Sequence, residues 1–129
     1  QAQAAAKSDE ENLKAEALLM QGESELKLNR FSAAAKAFEA VGAVGNVEAG
    51  ARYRALAGLG LAREQLKDLR AALAAYEAVA SKSPDATLRA WARDRAAAIT
   101  SRMQKPPAAD QPVPAPGGGG QTLPQGYSR

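Results

Sequence analysis

The hydrophobic positions between residues 9 and 104 recur every three or four residues, which is the spacing of one face of an α-helix. No stretch alternates apolar and polar residues for long enough to form a β-strand. Turn-forming residues divide the pattern into five segments with short connections. The sequence therefore predicts an all-α fold of helical hairpins, with helices over residues 9–28, 31–41, 47–66, 69–81 and 86–104.

Residues at the predicted helix ends support these bounds. Ser8 and Glu11 have the spacing of a capping box, which predicts the start of the first helix. Asn29 tolerates the left-handed backbone that ends helices, and Asn46 is predicted to cap the third helix. Pro84 loses no hydrogen bond in a first helical turn, so we place it at the start of the last helix.

The composition changes abruptly near residue 105. The segment that follows contains all but one of the seven prolines and a run of four glycines. Such a segment cannot bury enough apolar surface to offset the entropy of ordering it. We predict a lead-in over residues 1–8, a helical domain over 9–104 and a disordered tail or linker over 105–129. A proline-rich ligand segment is the alternative for the tail, but "PVPAP" lacks the flanking basic residue usual in such ligands.

The residue types present exclude several kinds of active site. The chain contains no Cys and no His, which excludes nucleophiles of those types, the usual structural zinc sites and disulfides. Asp9, Glu10 and Glu11 lie in a predicted first helical turn, where acids favour the helix dipole. The stretch "GLGLA" lies inside a predicted helix, without the preceding strand of a phosphate-binding loop. We expect no enzymatic activity, no cofactor and no metal.

Charge is distributed unevenly along the chain. The formal net charge is +3, but acids predominate before Leu28 and basic residues predominate after Pro84. The basic end leaves binding of an anionic polymer or lipid headgroups as an alternative function. No apolar run reaches the about 18 residues that a membrane span needs. Because the chain begins with Gln, we expect any signal peptide or membrane anchor to lie upstream.

Small and aromatic residues recur at matching places in the two predicted hairpins, at one constant spacing that we call the repeat spacing. The matched pairs are Leu18 and Leu56, Gly22 and Gly60, Ala34 and Ala72, Phe38 and Tyr76, and Asn46 and Pro84. This pattern resembles the tetratricopeptide repeat (TPR) family over about residues 13–81. The resemblance implies two repeats in a right-handed superhelical stack, closed by a capping helix over residues 86–104. The usual TPR period is about 34 residues. The distance along the chain from Gly22 to Gly60 is longer than this period, and the excess corresponds to about one helical turn.

Close packing explains the small residues of this pattern. We expect the two glycines where the helices of each hairpin approach most closely, with the two alanines facing them. The two aromatic side chains are expected to fill the space between hairpins. Each glycine costs about 1 kcal/mol of helix propensity, so the packing must more than offset that cost.

Two further features bear on the resemblance. At the position of the family's usual Tyr in the first helix, the chain has Glu25 and Arg63, opposite charges that could pair or remain solvated. The segment "YEAVASKSPD" is similar to segments in TPR-like domains of bacterial envelope proteins of the Bam-complex lipoprotein and Tol-Pal coordinator types. That similarity implies a periplasmic or cell-envelope location, with a cytoplasmic location as the alternative.

The resemblance also implies a partner-binding groove lined by the first helix of each repeat. We expect partly exposed leucines there to anchor a peptide; the alternative is that the last helix covers them. The predicted groove positions are Glu16, Leu19, Glu23, Leu26, Lys27, Arg54, Ala57, Leu61, Glu64 and Gln65.

The last predicted helix carries a second candidate surface. Trp91, Arg95 and Arg102 fall together beside its apolar stripe, and Trp91 and Arg95 are spaced for a cation–π contact. Trp and Arg are enriched at the centres of interfaces. The alternative is that Trp91 belongs to the core and the arginine stems cover it. The apolar stripe predicted to pack inward consists of Leu88, Ala92, Ala96, Ile99 and Met103.

Together these features predict a non-catalytic scaffold or adaptor module that binds protein partners, as part of a bacterial envelope assembly. A structural role in which the chain associates with itself end to end is a further alternative. We expect neither a metal nor nucleic acid among the partners, and membrane contact only through an upstream anchor.

Overall fold

The computed structural model describes the backbone of residues 2–104, and the side chains of residue 7 and residues 9–104. Within this range the chain forms five α-helices and no strand, which confirms the all-α prediction. The predicted tail lies outside the described residues. The helices are α1 (Ala2–Lys27), α2 (Phe31–Ala43), α3 (Ala49–Gln65), α4 (Leu69–Lys82) and α5 (Ala86–Gln104).

Each helix packs on the next one in the chain, and α1 also contacts α3. Helices α1 and α2 form the first hairpin, α3 and α4 form the second, and α5 packs on α4. The predicted arrangement of two hairpins and a closing helix is confirmed. No helix of the described part is long and apolar enough to span a membrane.

Two predicted helix starts are wrong. Helix α1 begins at Ala2, because the alanine-rich segment before residue 9 has high helix propensity and extends the helix. Ser8 therefore lies inside a helix and is not its cap. Asn46 does not cap α3 either: its φ of 52° places it in a left-handed turn, and α3 starts after Glu48. The side-chain amide of Asn46 instead donates a hydrogen bond to Glu11 Oε1 at 3.4 Å, which connects this turn to α1.

The last helix is capped by Asp85 rather than started by Pro84. The Leu88 amide donates to Asp85 Oδ1 at 3.1 Å, and α5 begins at Ala86. Pro84 thus lies in the connection before the helix. A carboxylate at this position satisfies an amide that the first helical turn leaves without a partner.

The turns within the two hairpins have the same backbone form. Asn29 and Lys67 are separated by the repeat spacing and have φ values of 58° and 67°, which confirms the left-handed conformation predicted for Asn29. The carboxylate of Asp68 accepts from the Ala71 amide at 3.3 Å and caps α4. The period of the sequence is therefore reproduced in the backbone itself.

The same two turns carry an ion pair with its polarity reversed. Glu25 pairs with Arg30 at 3.5 Å in the first hairpin, and Arg63 pairs with Asp68 at 3.3 Å in the second. Arg63 also bonds to Glu39 of α2. Glu25 and Arg63 therefore follow neither of the two predicted alternatives: each is paired across its own turn rather than with the other or with solvent alone.

The glycines lie against the two aromatic rings of the core. A Cβ at Gly22 would lie 2.6 Å from the Phe38 ring, and one at Gly60 would lie 2.5 Å from the Tyr76 ring. Gly58 approaches the Phe38 ring as well, so that ring is enclosed between α1 and α3. The predicted close approach is confirmed, with a ring rather than the opposing helix backbone as the neighbour.

The core consists of two apolar clusters, one for each hairpin with the helix that follows it. Phe38 is the largest residue of the first cluster and Tyr76 of the second, and half-buried Leu26 touches both. Ala34 and Ala72 are fully buried, as predicted. On α5, Leu88, Ala92 and Ile99 are buried and Ala96 is half-buried, but Met103 is 42% exposed. Met103 was predicted to pack inward; it lies in the last turn of α5.

Candidate functional site

Helices α1, α3 and α5 form a common surface, which we call the odd-helix face. Arg54 of α3 donates to Glu23 Oε2 of α1 at 3.3 Å. On the other side of α3, Arg102 of α5 donates to Glu64 Oε2 at 3.2 Å. Ion pairs therefore bridge α1 to α3 and α3 to α5. They join Glu23, Arg54 and Glu64, which were predicted for the groove, to Arg102, which was predicted for the surface of the last helix.

Glu23 and Arg54 connect the two helices below the surface rather than presenting free charges. Glu23 is only 6% exposed, and burial raises the pKa of its carboxyl group, while the charge of Arg54 opposes that rise. A buried carboxylate of this kind needs its partner, because desolvation penalises the charged form.

A second cluster forms around Glu64 of α3. Glu64 Oε1 accepts from the Tyr76 hydroxyl at 2.9 Å and from Arg95 at 2.5 Å. Burial, followed by the negative charge of Glu64, raises the pKa of Tyr76. The phenol is therefore a neutral hydrogen-bond donor that fixes the carboxylate.

Trp91 and Arg95 both pack on Tyr76. The Trp91 ring meets it edge-on, with 5.6 Å between ring centroids and 85° between the planes. The Arg95 guanidinium lies 5.8 Å from the Tyr76 centroid. The cation–π contact that the sequence predicted with Trp91 is thus made with Tyr76. Trp91 is half-buried, so it packs against the core and keeps part of its ring at the surface.

The leucine anchors predicted for the groove are only partly available. Leu19 is 0% and Leu61 is 1% exposed, so the expectation that they are partly exposed is wrong. Leu61 belongs to the cluster that contains Leu88 and Ile99 of α5. The alternative that the last helix covers it fits this arrangement. Leu26 remains half-buried and offers apolar surface.

The remaining predicted groove residues differ in accessibility. Glu16 and Lys27 are exposed, Gln65 is half-buried and Ala57 is buried. A shallow groove between α1 and the start of α3 extends this surface beyond the predicted set. Its lining residues are Asp9, Asn12, Leu13, Glu16, Glu48 and Ala51.

The sequence reasoning missed this acidic groove and the role of Gly58. The signal for Gly58 was present, since "GLGLA" contains two glycines and the repeat register explains only Gly60. The acidic groove had no local signal, because Glu48 is distant from Asp9 and Glu16 in sequence and only the α1–α3 contact unites them. Among the described residues, no group of three or more His, Cys, Asp or Glu is placed to hold a metal ion.

Comparison with protein families gives a match to the tetratricopeptide repeat, over residues 1–47 and again over residues 19–87. The two matches together cover both hairpins and the connection to α5. Comparison with curated proteins and with solved structures found no match.

Proposed function

Because the chain belongs to the tetratricopeptide repeat family, whose repeats generally mediate protein–protein interaction, we propose that its odd-helix face holds a segment of a partner protein. The observation that carries this proposal is the pair of ion-pair bridges, Arg54 to Glu23 and Arg102 to Glu64. They tie side chains of α1, α3 and α5 together, so that these charged side chains are held in place before a partner binds. A preorganised surface loses less entropy when a partner binds.

The surface offers a partner both charge and apolar contact. Glu16 and Lys27 are exposed at α1, and Arg102 is about half exposed at α5. Half-buried Leu26 and half-buried Trp91 both add apolar area. An extended or helical segment with mixed charge and one or two apolar anchors fits this composition.

Site-specific photo-crosslinking in the source cells tests this assignment. A photoreactive amino acid is placed at Glu16, Lys27 or Arg102, whose side chains lie on the odd-helix face. We expect each position to give the same crosslinked protein, since a bound segment would run past all three.

Exposed positions on the even-numbered helices provide the matched control. Ser32 and Lys36 of α2 and Ala74 of α4 are exposed and are expected to give no such product. Crosslinking from the α2 and α4 positions alone would overturn the proposal.

We also propose that the module works in a bacterial envelope assembly as a scaffold or adaptor. The support is the likeness of "YEAVASKSPD" to segments of envelope TPR-like domains. Protease treatment of spheroplasts tests this location with the natural full-length protein. Digestion without lysis is expected, whereas protection until lysis would place the protein in the cytoplasm and contradict the proposal.

The alternative of an anionic ligand at the basic end gains no specific support. Arg95 and Arg102 both bond to Glu64, and Arg89 donates to the Ser83 carbonyl oxygen at 2.8 Å. These contacts engage much of the positive charge of α5 within the protein.

A further inference from the structure

The outward side of α1 is a face that the repeat pattern expects to be covered. In α3, the residues Ala51, Ala55 and Ala62 are buried in the first core cluster, and Gly58 lies against Phe38. They are the residues by which α3 packs on the hairpin before it. Their counterparts in α1, one repeat spacing earlier, are Leu13, Ala17, Met20 and Ser24, and all four are exposed.

The size of the exposed residues restricts what fits against them. Leu13 is 71% and Met20 is 63% exposed. Met20 has the position in α1 that Gly58 has in α3, where the absence of a side chain leaves room for the Phe38 ring. A hairpin with an aromatic residue at the corresponding position would collide with Met20. The face therefore requires a partner surface of small side chains, into which Leu13 and Met20 insert.

The outward side of α5 is such a surface. The buried residues Leu88, Ala92 and Ile99 have the same mutual spacing as Ala51, Ala55 and Ala62 of α3, and superposing the two sets aligns Ala97 with Gly60. Gly60 is covered by α4, whereas Ala97 is exposed, as are Ala90 and Ser101. At Ala97 this register places a small side chain where α3 is covered by α4, and no described helix lies over the exposed Ala97.

The groove beside the α1 face is acidic, and the α5 face offers an exposed arginine. Asp9 and Glu16 of α1 and Glu48 line the groove beside Leu13. On α5, exposed Arg93 lines the groove between α4 and α5 that Ala97 borders, together with Glu77 of α4. Complementary charge at the edge of an apolar contact favours encounter and fixes orientation.

We propose that two copies of this chain associate head to tail, with the outward face of α1 in one copy docked on the outward face of α5 in the next. Leu13 and Met20 pack among Ala90, Ala97 and Ser101. The acidic groove receives Arg93 of the neighbouring copy. The two surfaces of each chain differ, so the contact is heterologous and leads to open chains rather than closed dimers.

Sedimentation velocity of the full-length chain tests the association. At low salt we expect the weight-average mass to rise by about twofold or more as the concentration rises toward about 1 mM, since each added copy exposes a new end. At about 0.5 M salt the rise is expected to be smaller, because screening weakens the charged rim. A monomer at every concentration and salt level would overturn the proposal.

Two variants then identify the faces. The head variant carries Leu13→Glu and Met20→Glu, and the tail variant carries Ala90→Glu and Ala97→Glu. All four positions are exposed, so circular dichroism and the melting temperature are expected to match those of the unmodified protein. Each variant alone is expected to remain monomeric. The control variant with Ser32→Glu and Ala74→Glu adds the same charge elsewhere and is expected to associate normally.

Mixing the head and tail variants provides the decisive measurement. Each supplies the intact face that the other lacks, so an equimolar mixture is expected to form a 1:1 pair and stop there. If the tail variant alone still associates, the α1 face pairs with something other than α5 and the proposal fails. A mixture that stays monomeric would contradict it equally.

Discussion

Gly60 shows how one small side chain determines the separation of two helices. The Tyr76 ring beside it is fully buried, bonded to Glu64 and packed edge-on against Trp91. These contacts hold the ring against the shift that a new side chain at Gly60 would require. The repeat pattern alone predicts that Gly60→Ala is near neutral, because helix propensity would offset a small clash. The 2.5 Å distance to the ring reverses that expectation.

We therefore expect Gly60→Ala to lower the free energy of unfolding by about 1–3 kcal/mol, and Gly60→Leu to lower it at least as much, because both overpack the site. Gly50→Ala is the matched control, since nothing lies within 4 Å of a Cβ there. That substitution is expected to be neutral or to stabilise by up to about 1 kcal/mol. Urea unfolding measures all three variants. Equal stability of Gly60→Ala and the unmodified protein would contradict the assigned packing.

Glu23 makes stability depend on pH in a defined direction. Its pKa is raised in the folded protein, chiefly by burial, so the native state holds the proton more tightly than the unfolded chain does. The free energy of unfolding therefore falls as pH rises from the ordinary glutamate pKa of about 4.3 through the raised value.

The variant Glu23→Gln should remove this dependence. We expect the unmodified protein to lose stability relative to Glu23→Gln across that pH window, in urea titrations at a series of pH values. The loss of the ion pair with Arg54 changes the free energy of unfolding by an amount that does not depend on pH. Glu77→Gln, on the exposed side of α4, is the control. A stability difference that does not change with pH, or that changes in the opposite sense, would contradict the burial argument.

The helices differ in how firmly they are held. Helix α3 packs on α4 of its own hairpin and on both helices of the first hairpin. It also forms ion pairs to α1, α2 and α5. Helix α5 lies at the end of the array and depends on α4, through the buried Leu88, Ala92 and Ile99 and through the contact of Trp91 with Tyr76. The aromatic pair therefore adds to the attachment that the buried aliphatic residues and the ion pairs to Glu64 provide.

Trp91→Ala is expected to destabilise the protein by about 2–3 kcal/mol, below the range for a fully buried Trp because the ring is only half-buried. Thermal unfolding followed by circular dichroism measures the change. Arg93→Ala, exposed on the same helix, is expected to leave the melting temperature nearly unchanged. If Trp91→Ala folds as stably as the unmodified protein, the ring acts as an interface anchor and its packing on Tyr76 contributes little.

In the part of the chain that the structure describes, the core and the candidate surfaces lie within residues 9–104. Both apolar clusters lie between Ala15 and Ile99, and every ion pair found among the described residues lies within the same helical region. The segment after residue 105 is expected to add nothing to stability.

Deletion of residues 106–129 tests this expectation. We predict an unchanged melting temperature and unchanged helicity per molecule, because no core pattern continues past Met103. A fall of several degrees would show that the segment docks on the helical domain.

The sequence by itself determined the helices, the two hairpin turns, and the glycine and aromatic positions that set their packing. These features follow from local propensity and from the constant repeat spacing, both of which are written in the order of the residues. Asn29 has the predicted left-handed conformation, and Phe38 and Tyr76 fill the predicted positions in the core.

Only the tertiary structure decided which of the predicted surface residues remain accessible. Leu19 and Leu61 have the pattern of groove residues, yet neighbouring helices bury them. Glu64 bonds to Tyr76, Arg95 and Arg102, all of which lie on later helices of the chain. Burial and ion pairing depend on the distance and rotation between packed helices. Those quantities arise from many side chains in contact at once, and no local stretch of sequence specifies them.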